Sequence, residues 1–522
     1  MKIADEPFFV TPYKDQPGGV DFLGLRQVNL DLMYQFLPGI NNVTQYVRPY
    51  SVMCWVAWAF HQNMMQRGED ETTREEYVRF RERVELLFGW GHQLEGTSRG
   101  MVGSTSKSPG PAGGRAPLDF DAWGRNVSWL DAVNYGPSLK VDNGLGFLIQ
   151  AKPGIFAATT KGVELAEVLD ARLRDLDGYG VLRGQTATAP ETVARSLKQG
   201  WDIEKPSARE RKLFQNALFD ETAIGSPNPL GHRSSAISLI RFVLERHKMP
   251  VSASQLRQSL GQGSTDKGKL LAIPAPLVTH HHLWVALQVR QVQRLAMEAF
   301  FSWIEKEVLF EGVRDSLALA KKAAVSFSES EFSDGSTTPG HVIAKLNRIA
   351  KSTKRLLWNG ASEDSIDMFA LSARLQQAIY GSDEGLCPLS VHLLLLVSAI
   401  TDELKEAGVA KDVLDLGGAP RVSLSHWANY IDRQKEKIFP HFFLNFIETY
   451  MLSQHFGTAT RRYQTGKQRL RLTIEENGLT PMISQNELWF PSPAPDRIET
   501  MLALLADCGM LELTEDGYTV AT

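Results

Sequence analysis

Apolar residues recur every three or four positions over most of this chain, the spacing of helices that each bury one face. Leu25, Val28, Leu32, Met33 and Phe36 set the first such helix, and Pro38-Gly39 ends it. From Tyr50 to Met65 the apolar positions run almost all round. That pattern predicts a helix buried on most faces, with Pro49 in its first turn, where a missing N–H is harmless. Residues 71–90 predict an amphipathic helix capped by Thr72 or Thr73, with Glu75 and Glu76 in the first turn and arginines later. The same period marks VARSLKQGW, SARERKLFQNALF and SSAISLIRFVLERH. The longest run, LVTHHHLWVALQVRQVQRLAMEAFFSWIEKEVL, predicts the spine of a central domain. SIDMFALSARLQQAIYG, LSVHLLLLVSAITDELKEAG and PHFFLNFIETYMLSQHF continue the helical pattern towards the C-terminus.

The period breaks at residues 1–25, at the loops Gly261–Lys269, Ser326–Gly340 and Asp415–Arg421, and over three longer stretches. Residues 96–117 are rich in Gly, Ser and Pro, hold little that can pack, and predict a flexible surface loop. In residues 118–172 a helix over Phe120–Val133 is followed by a strand, a turn at Pro153-Gly154, a second strand and a helix starting near Thr160. That order resembles the wing of a winged helix. Near the C-terminus, DRIETMLALLADCGM predicts a helix, and LELTEDGYTVAT two short strands around Asp516-Gly517, a second winged-helix-like ending. The fold class expected is mainly α, a multi-domain helical protein with two winged-helix-like modules. Its parts are a helical domain over 1–95, the loop 96–117, a winged-helix-like module over 118–172, a central helical domain over 173–430, and a helical and winged-helix-like module over 431–522.

Composition changes this picture little. The 522 residues are 43% hydrophobic and 22% charged, which supports real cores and excludes wholesale disorder. A formal net charge of −4 excludes a uniformly basic coat but not a local basic patch. Cys54, Cys387 and Cys508 are far apart and without metal-ligand spacing, which fits buried thiols in a reducing cytoplasm. MKIADEPFFV lacks the pattern of a secretory signal. Apolar runs such as Val391–Ile400 are too short to span a bilayer, so no membrane partner is expected.

Candidate chemistry is sparse. His280-His281-His282 invites a metal, but consecutive helical residues point about 100° apart and cannot converge on one ion. A helix start near Pro276 with partly exposed histidines is the simpler reading. Glu403-Leu404-Lys405 has the E-x-K order of metal-dependent nucleases. Those enzymes present it on a strand, whereas here it continues an apolar helical run and reads as a solvated last turn. No phosphate-binding glycine loop, nucleophile elbow, HExxH, CxxC pair or dinucleotide fingerprint is present, so no cofactor and no metal are expected.

The best charged signal is a basic run, Arg461-Arg462-Tyr463-Gln464-Thr465-Gly466-Lys467-Gln468-Arg469-Leu470-Arg471. Its cations, with an aromatic among them and no acid, are the residue types that contact phosphate. Arg461, Arg462, Tyr463, Lys467, Arg469 and Arg471 are therefore candidate contacts to double-stranded DNA. The plainer alternative is a solvated surface balanced by Glu475 and Glu476. Arg26, Asn42 and Arg48 form a second candidate group, with Arg48 the simpler to read as a cap or stack inside the fold.

Two stretches, DFLGLRQVNLDLMYQFLPGINNVTQYVRPYSVMCWVAWAF near the N-terminus and SQHFGTATRRYQTGKQRLRLTIEENGLTP with DRIETMLALLADCGMLE near the C-terminus, resemble large bacterial proteins found in phage-defence gene clusters. The resemblance covers about a quarter of the chain. It implies a multi-subunit defence complex and brings no catalytic residues with it. The function expected is a DNA-associated, non-catalytic subunit or scaffold that acts with other protein subunits. A metal-dependent nuclease or other hydrolase with a site assembled from distant residues, and a pure protein–protein adaptor, stand beside it.

Overall fold

The computed structural model describes residues 21–68, 73–96, 111, 116–122, 128–130, 134–184, 186–265, 267–360, 366–381, 385–462 and 470–521. It is mainly helical, with 62% of the described residues in helix and 7% in strand. Among the described residues the strands form four two-stranded antiparallel pairs, and the cores are built from helices.

The chain divides into two compact units, each built from segments distant in sequence. One comprises residues 1–32, 260–270 and 281–494. The other comprises residues 33–259, 271–280 and 495–522. Periodicity read along the chain does not reveal such interleaving.

In the first unit the spine is Val278–Leu309, as expected. Its apolar face carries Val289, Ala296, Phe300 and Ile304 into a core shared with Leu386–Glu406 and with Phe439, Phe443 and Phe446. Leu424–Gln434 lies against Leu386–Glu406, and the Trp427 indole N–H donates to the Leu394 carbonyl at 2.8 Å. The helix Leu386–Glu406 is longer than its apolar run. It is long and apolar enough to cross a membrane, and 89% of its apolar window is buried inside the protein. A π turn at Ile447–Leu452 joins Phe439–Phe446 to Ser453–Arg461. Leu472–Glu475 pairs with Gly478–Pro481 beyond it.

In the second unit the all-round apolar helix is Arg48–Arg67, with Pro49 in its first turn and 14 of its residues buried. It packs on Thr160–Leu173, and the Trp55 indole donates to Asp170 Oδ1 at 2.9 Å. Arg74–Leu94 begins at a Thr73–Glu76 capping box, each side chain satisfying the other's backbone N–H. Gly91 lets this helix approach Glu191–Trp201, because a Cβ there would sit 2.6 Å from the Ala194 carbonyl oxygen.

The strand–turn–strand–helix expected after residue 145 forms, as Leu148–Lys152, Ile155–Ala158 and Thr160–Leu173. The helix expected over Phe120–Val133 does not appear in the described part of that stretch. Residues 120–122 and 128–130 are turns and irregular chain. The Asp119 carboxylate accepts from the N–H groups of Asp121 and Ala122, which closes a local turn that competes with helix. Most of the Gly/Ser/Pro-rich stretch 96–117 lies outside the described residues.

Candidate nucleic-acid and partner-binding surfaces

The cations of the basic run occupy different environments. Arg461 is exposed at the last turn of Ser453–Arg461. Arg462 donates to the Asp21 carbonyl at 3.3 Å and to its carboxylate at 3.1 Å. Arg471 is a core residue. Its guanidinium forms a two-pronged pair with the buried Glu305, donates to the Glu487 carbonyl at 3.0 Å, and lies 4.4 Å above the Phe22 ring. Its own N–H donates to His455 Nε2 at 3.0 Å. Tyr463, Lys467 and Arg469 lie outside the described residues. Of the second group, Arg48 is fully buried, Arg26 half-buried and Asn42 exposed.

The histidine triplet begins the spine helix, as its position predicts, but two of the three rings are buried rather than partly exposed. His280 Nε2 engages the Phe36 carbonyl at 3.0 Å, and His281 Nε2 the Leu260 carbonyl at 2.9 Å. Burial lowers both to about 4. Among the described residues no group of three or more His, Cys, Asp or Glu has metal-binding geometry. Glu403-Leu404-Lys405 lies in the last turn of Leu386–Glu406, with Asp402 and Lys405 exposed as expected, but Glu403 itself is half-buried. Its carboxylate accepts the Leu357 N–H at 2.7 Å and serves the start of the short helix Leu357–Asn359, and burial raises it to about 7.

A buried acid–base cluster in the second unit also proves structural. Lys198 Nζ bridges Glu95 at 2.6 Å and Asp202 at 2.9 Å. His92 Nδ1 meets the Phe88 carbonyl at 2.8 Å, so it carries the proton, and Nε2 accepts the Ile203 N–H at 2.9 Å. Both ring nitrogens are spent on holding the chain.

Glu298, on the spine helix, is different. It is fully buried, neither carboxylate oxygen has a hydrogen-bond partner, and Arg294 Nε stands 3.6 Å away. Burial raises the carboxyl to about 8 against the pull of Arg294. An unfolded Glu titrates near ~4.3. The raised folded value therefore adds stability that is complete below about pH 4 and lost as pH rises through about 8. Glu298→Gln is expected to flatten that decline, and so to gain on the native protein as pH rises from 5 to 9, by up to about 4 kcal/mol at ~1.4 kcal/mol per pH unit. Urea denaturation at several pH values reads this directly. An unchanged difference across the range contradicts it.

The most organised surface feature is assembled from two distant segments of the second unit. Helix Pro229–Arg246 starts at Asn228, whose side chain accepts the Gly231 N–H at 2.8 Å. The single extended residue Val251 follows. Helix Ala253–Gln262 then begins at a reciprocal Ser252–Gln255 pair. The chain returns at residue 495 to form helix Ile498–Asp507 and the hairpin Leu511–Thr514/Gly517–Val520. Val251 adds to this hairpin through a single antiparallel bridge to Tyr518. Its N–H donates to the Tyr518 carbonyl at 3.0 Å and its carbonyl accepts the Tyr518 N–H at 2.9 Å. Gly517 permits the approach, since its φ is +140° and a Cβ would sit 2.6 Å from the Val251 backbone. Arg257 fastens the two segments through Asp496, with Nη2 to Oδ1 at 3.1 Å, and reaches Glu499 at 3.6 Å.

The electrostatics of this module's C-terminal segment run against direct phosphate contact there. Residues 498–521 contain no Lys or Arg. Helix Ile498–Asp507 buries Ile498, Met501, Leu502, Leu504 and Leu505, and the hairpin exposes Glu512, Leu513, Glu515 and Asp516. Sequence reasoning found the helix and the hairpin but missed Val251, because one extended residue between helices leaves no periodic signal.

Comparison with protein-family models, with curated proteins and with solved structures found no match.

Proposed function

We propose that this chain is a DNA-associated, non-catalytic scaffold subunit of a bacterial multi-protein assembly. The defence setting rests on the sequence resemblance. The observation that carries the scaffold reading is the Val251–Tyr518 pairing. Helix, short strand, helix, helix and hairpin, with the first strand against the outer strand of the hairpin, is the order of a winged helix. In this reading residues 263–497 are an insertion between its second and third helices. The hairpin near residue 150 supports the winged-helix reading less, because only the four-residue helix Gly136–Leu139 precedes it.

The acidic wing suits a basic protein partner better than a phosphate backbone. DNA contact then falls to Arg461 and to Tyr463, Lys467 and Arg469 of the basic run, while Arg462 and Arg471 hold the fold. The test is binding of labelled duplex DNA across a salt series, comparing native protein with an Arg461→Ala, Lys467→Ala, Arg469→Ala variant. The expected result is weaker binding by the variant, with a log K against log salt slope shallower by about 0.9 for each phosphate that the variant no longer neutralises. Absence of binding by native protein at low salt contradicts the DNA part and leaves the adaptor reading, which the acidic wing favours.

A further inference from the structure

The second unit holds a cleft of about 370 Å³ between the end of Arg48–Arg67, the start of Arg74–Leu94 and the chain around Arg183. Four arginines line it, Arg67, Arg79, Arg83 and Arg183. Three acids share the lining, and two are already engaged. Glu76 is held by the Thr73 N–H and hydroxyl of its own helix cap, at 2.9 and 3.0 Å. Glu82 faces Arg81 at 3.5 Å. The third, Asp121, draws on Arg83 electrostatically.

Two of the arginines are held in place before any ligand arrives. Arg83 lies 4.8 Å over the Phe120 ring and donates to the Val181 carbonyl at 3.1 Å and to the Thr186 hydroxyl at 3.4 Å. Arg183 lies 5.7 Å over the Trp58 ring, and its backbone carbonyl is fixed by the Asn63 amide at 3.0 Å. A guanidinium seated on an aromatic face keeps a fixed fork of donors, so less side-chain entropy is lost when it meets an oxyanion. Arg79 is exposed and has no ion pair among the described residues. Four arginines against three carboxylates leave the cleft with a net positive charge, and the exposed Arg79 is the cation there that a further anion can meet.

The geometry points to a binding site for a small phosphate-bearing ligand of about mononucleotide size, its phosphate held by Arg79, Arg83 and Arg183. The volume lies within the ~300–1,000 Å³ of small-molecule sites and excludes a duplex from the interior of the cleft. Planar guanidinium forks match phosphate oxygens in pairs, which is why arginine serves here better than lysine. The site is separate from the DNA contacts proposed above and does not depend on them.

Isothermal titration of the full chain with AMP, inorganic pyrophosphate and adenosine tests this. AMP and pyrophosphate are expected to bind with Kd below about 1 mM, and adenosine not to bind at that level. Tighter binding of AMP than of pyrophosphate identifies a nucleoside phosphate, and the reverse order an inorganic polyphosphate. Arg79→Ala with Arg183→Ala is expected to weaken the phosphate probes at least about tenfold, as removal of charged hydrogen bonds does. The same variant should keep the native melting temperature without ligand and the native affinity for duplex DNA. Should it melt early, Arg79→Lys with Arg183→Lys keeps the charges and removes the forks, and intermediate weakening is expected. The proposal is overturned if neither phosphate probe binds at about 10 mM, if adenosine binds as well as AMP, or if the variants bind like native protein.

Discussion

Replacing Arg471 by alanine is expected to destabilise the first unit by about 3–5 kcal/mol, the cost of leaving one member of a buried ion pair behind. Glu305 is fully buried, and burial already raises its carboxyl against the stabilising pull of Arg471. Removing the guanidinium takes away both prongs of that pair, the bond to the Glu487 carbonyl and the cation over Phe22. The double change Arg471→Met, Glu305→Leu is expected to recover most of the stability, because apolar groups of similar volume leave no stranded charge. Urea denaturation followed by tryptophan fluorescence measures both variants. A change under about 0.5 kcal/mol, the ordinary effect of a surface substitution, is the result for an arginine on a solvated face, and it would restore Arg471 as a candidate DNA contact.

Arg48→Ala is expected to cost the second unit a similar ~3–5 kcal/mol. Arg48 Nη1 pairs with Glu210 at 2.8 Å with both side chains fully buried. Its Nε donates to the Asp202 carbonyl at 3.2 Å and its Nη2 to the Lys205 carbonyl at 2.6 Å. One side chain thus ties the start of Arg48–Arg67 to the turn that leads into Ala208–Leu218. The alanine variant strands Glu210 and two carbonyls together. Arg48→Met with Glu210→Gln removes the charges but still leaves the carbonyls without donors, so it is expected to recover only part. Amide exchange resolved by residue separates the two substitutions. Arg48→Ala should raise exchange across residues 48–67 and 208–218, and a change confined to the first turn of Arg48–Arg67 would contradict the account.

Much of the local structure is legible in the sequence, and for identifiable reasons. The helix from residue 48 shows in apolar positions that leave no polar stripe. The cap shows as Thr72 or Thr73 ahead of Glu75 and Glu76, and the hairpins show at Pro153-Gly154 and Asp516-Gly517. Each of these signals lies within a few residues of what it specifies. The surfaces are less legible because their partners are remote. Nothing near Arg471 announces Glu305, so an arginine bound for the core stands in the same basic run as the exposed Arg461. The one clue is the alternation Arg469-Leu470-Arg471-Leu472, where charged and apolar positions begin to alternate. Nothing near Val251 announces Tyr518, and the cleft arginines come from three separate segments. The histidine triplet misleads for the opposite reason. Its local chemistry is conspicuous, yet the carbonyls that satisfy it, those of Phe36 and Leu260, belong to distant chain.

The scaffold reading stands on the union of residues 229–262 with residues 495–521. Native-state hydrogen exchange at the Val251 and Tyr518 amides tests that union most directly. The two N–H groups donate to each other's carbonyls, so they are expected to be protected to the same degree and to lose protection together when Gly517→Ala pushes the strands apart. Exchange of both amides at the rate of free chain in native protein would mean that the Val251–Tyr518 bridge does not form, and the winged-helix order would fall with it.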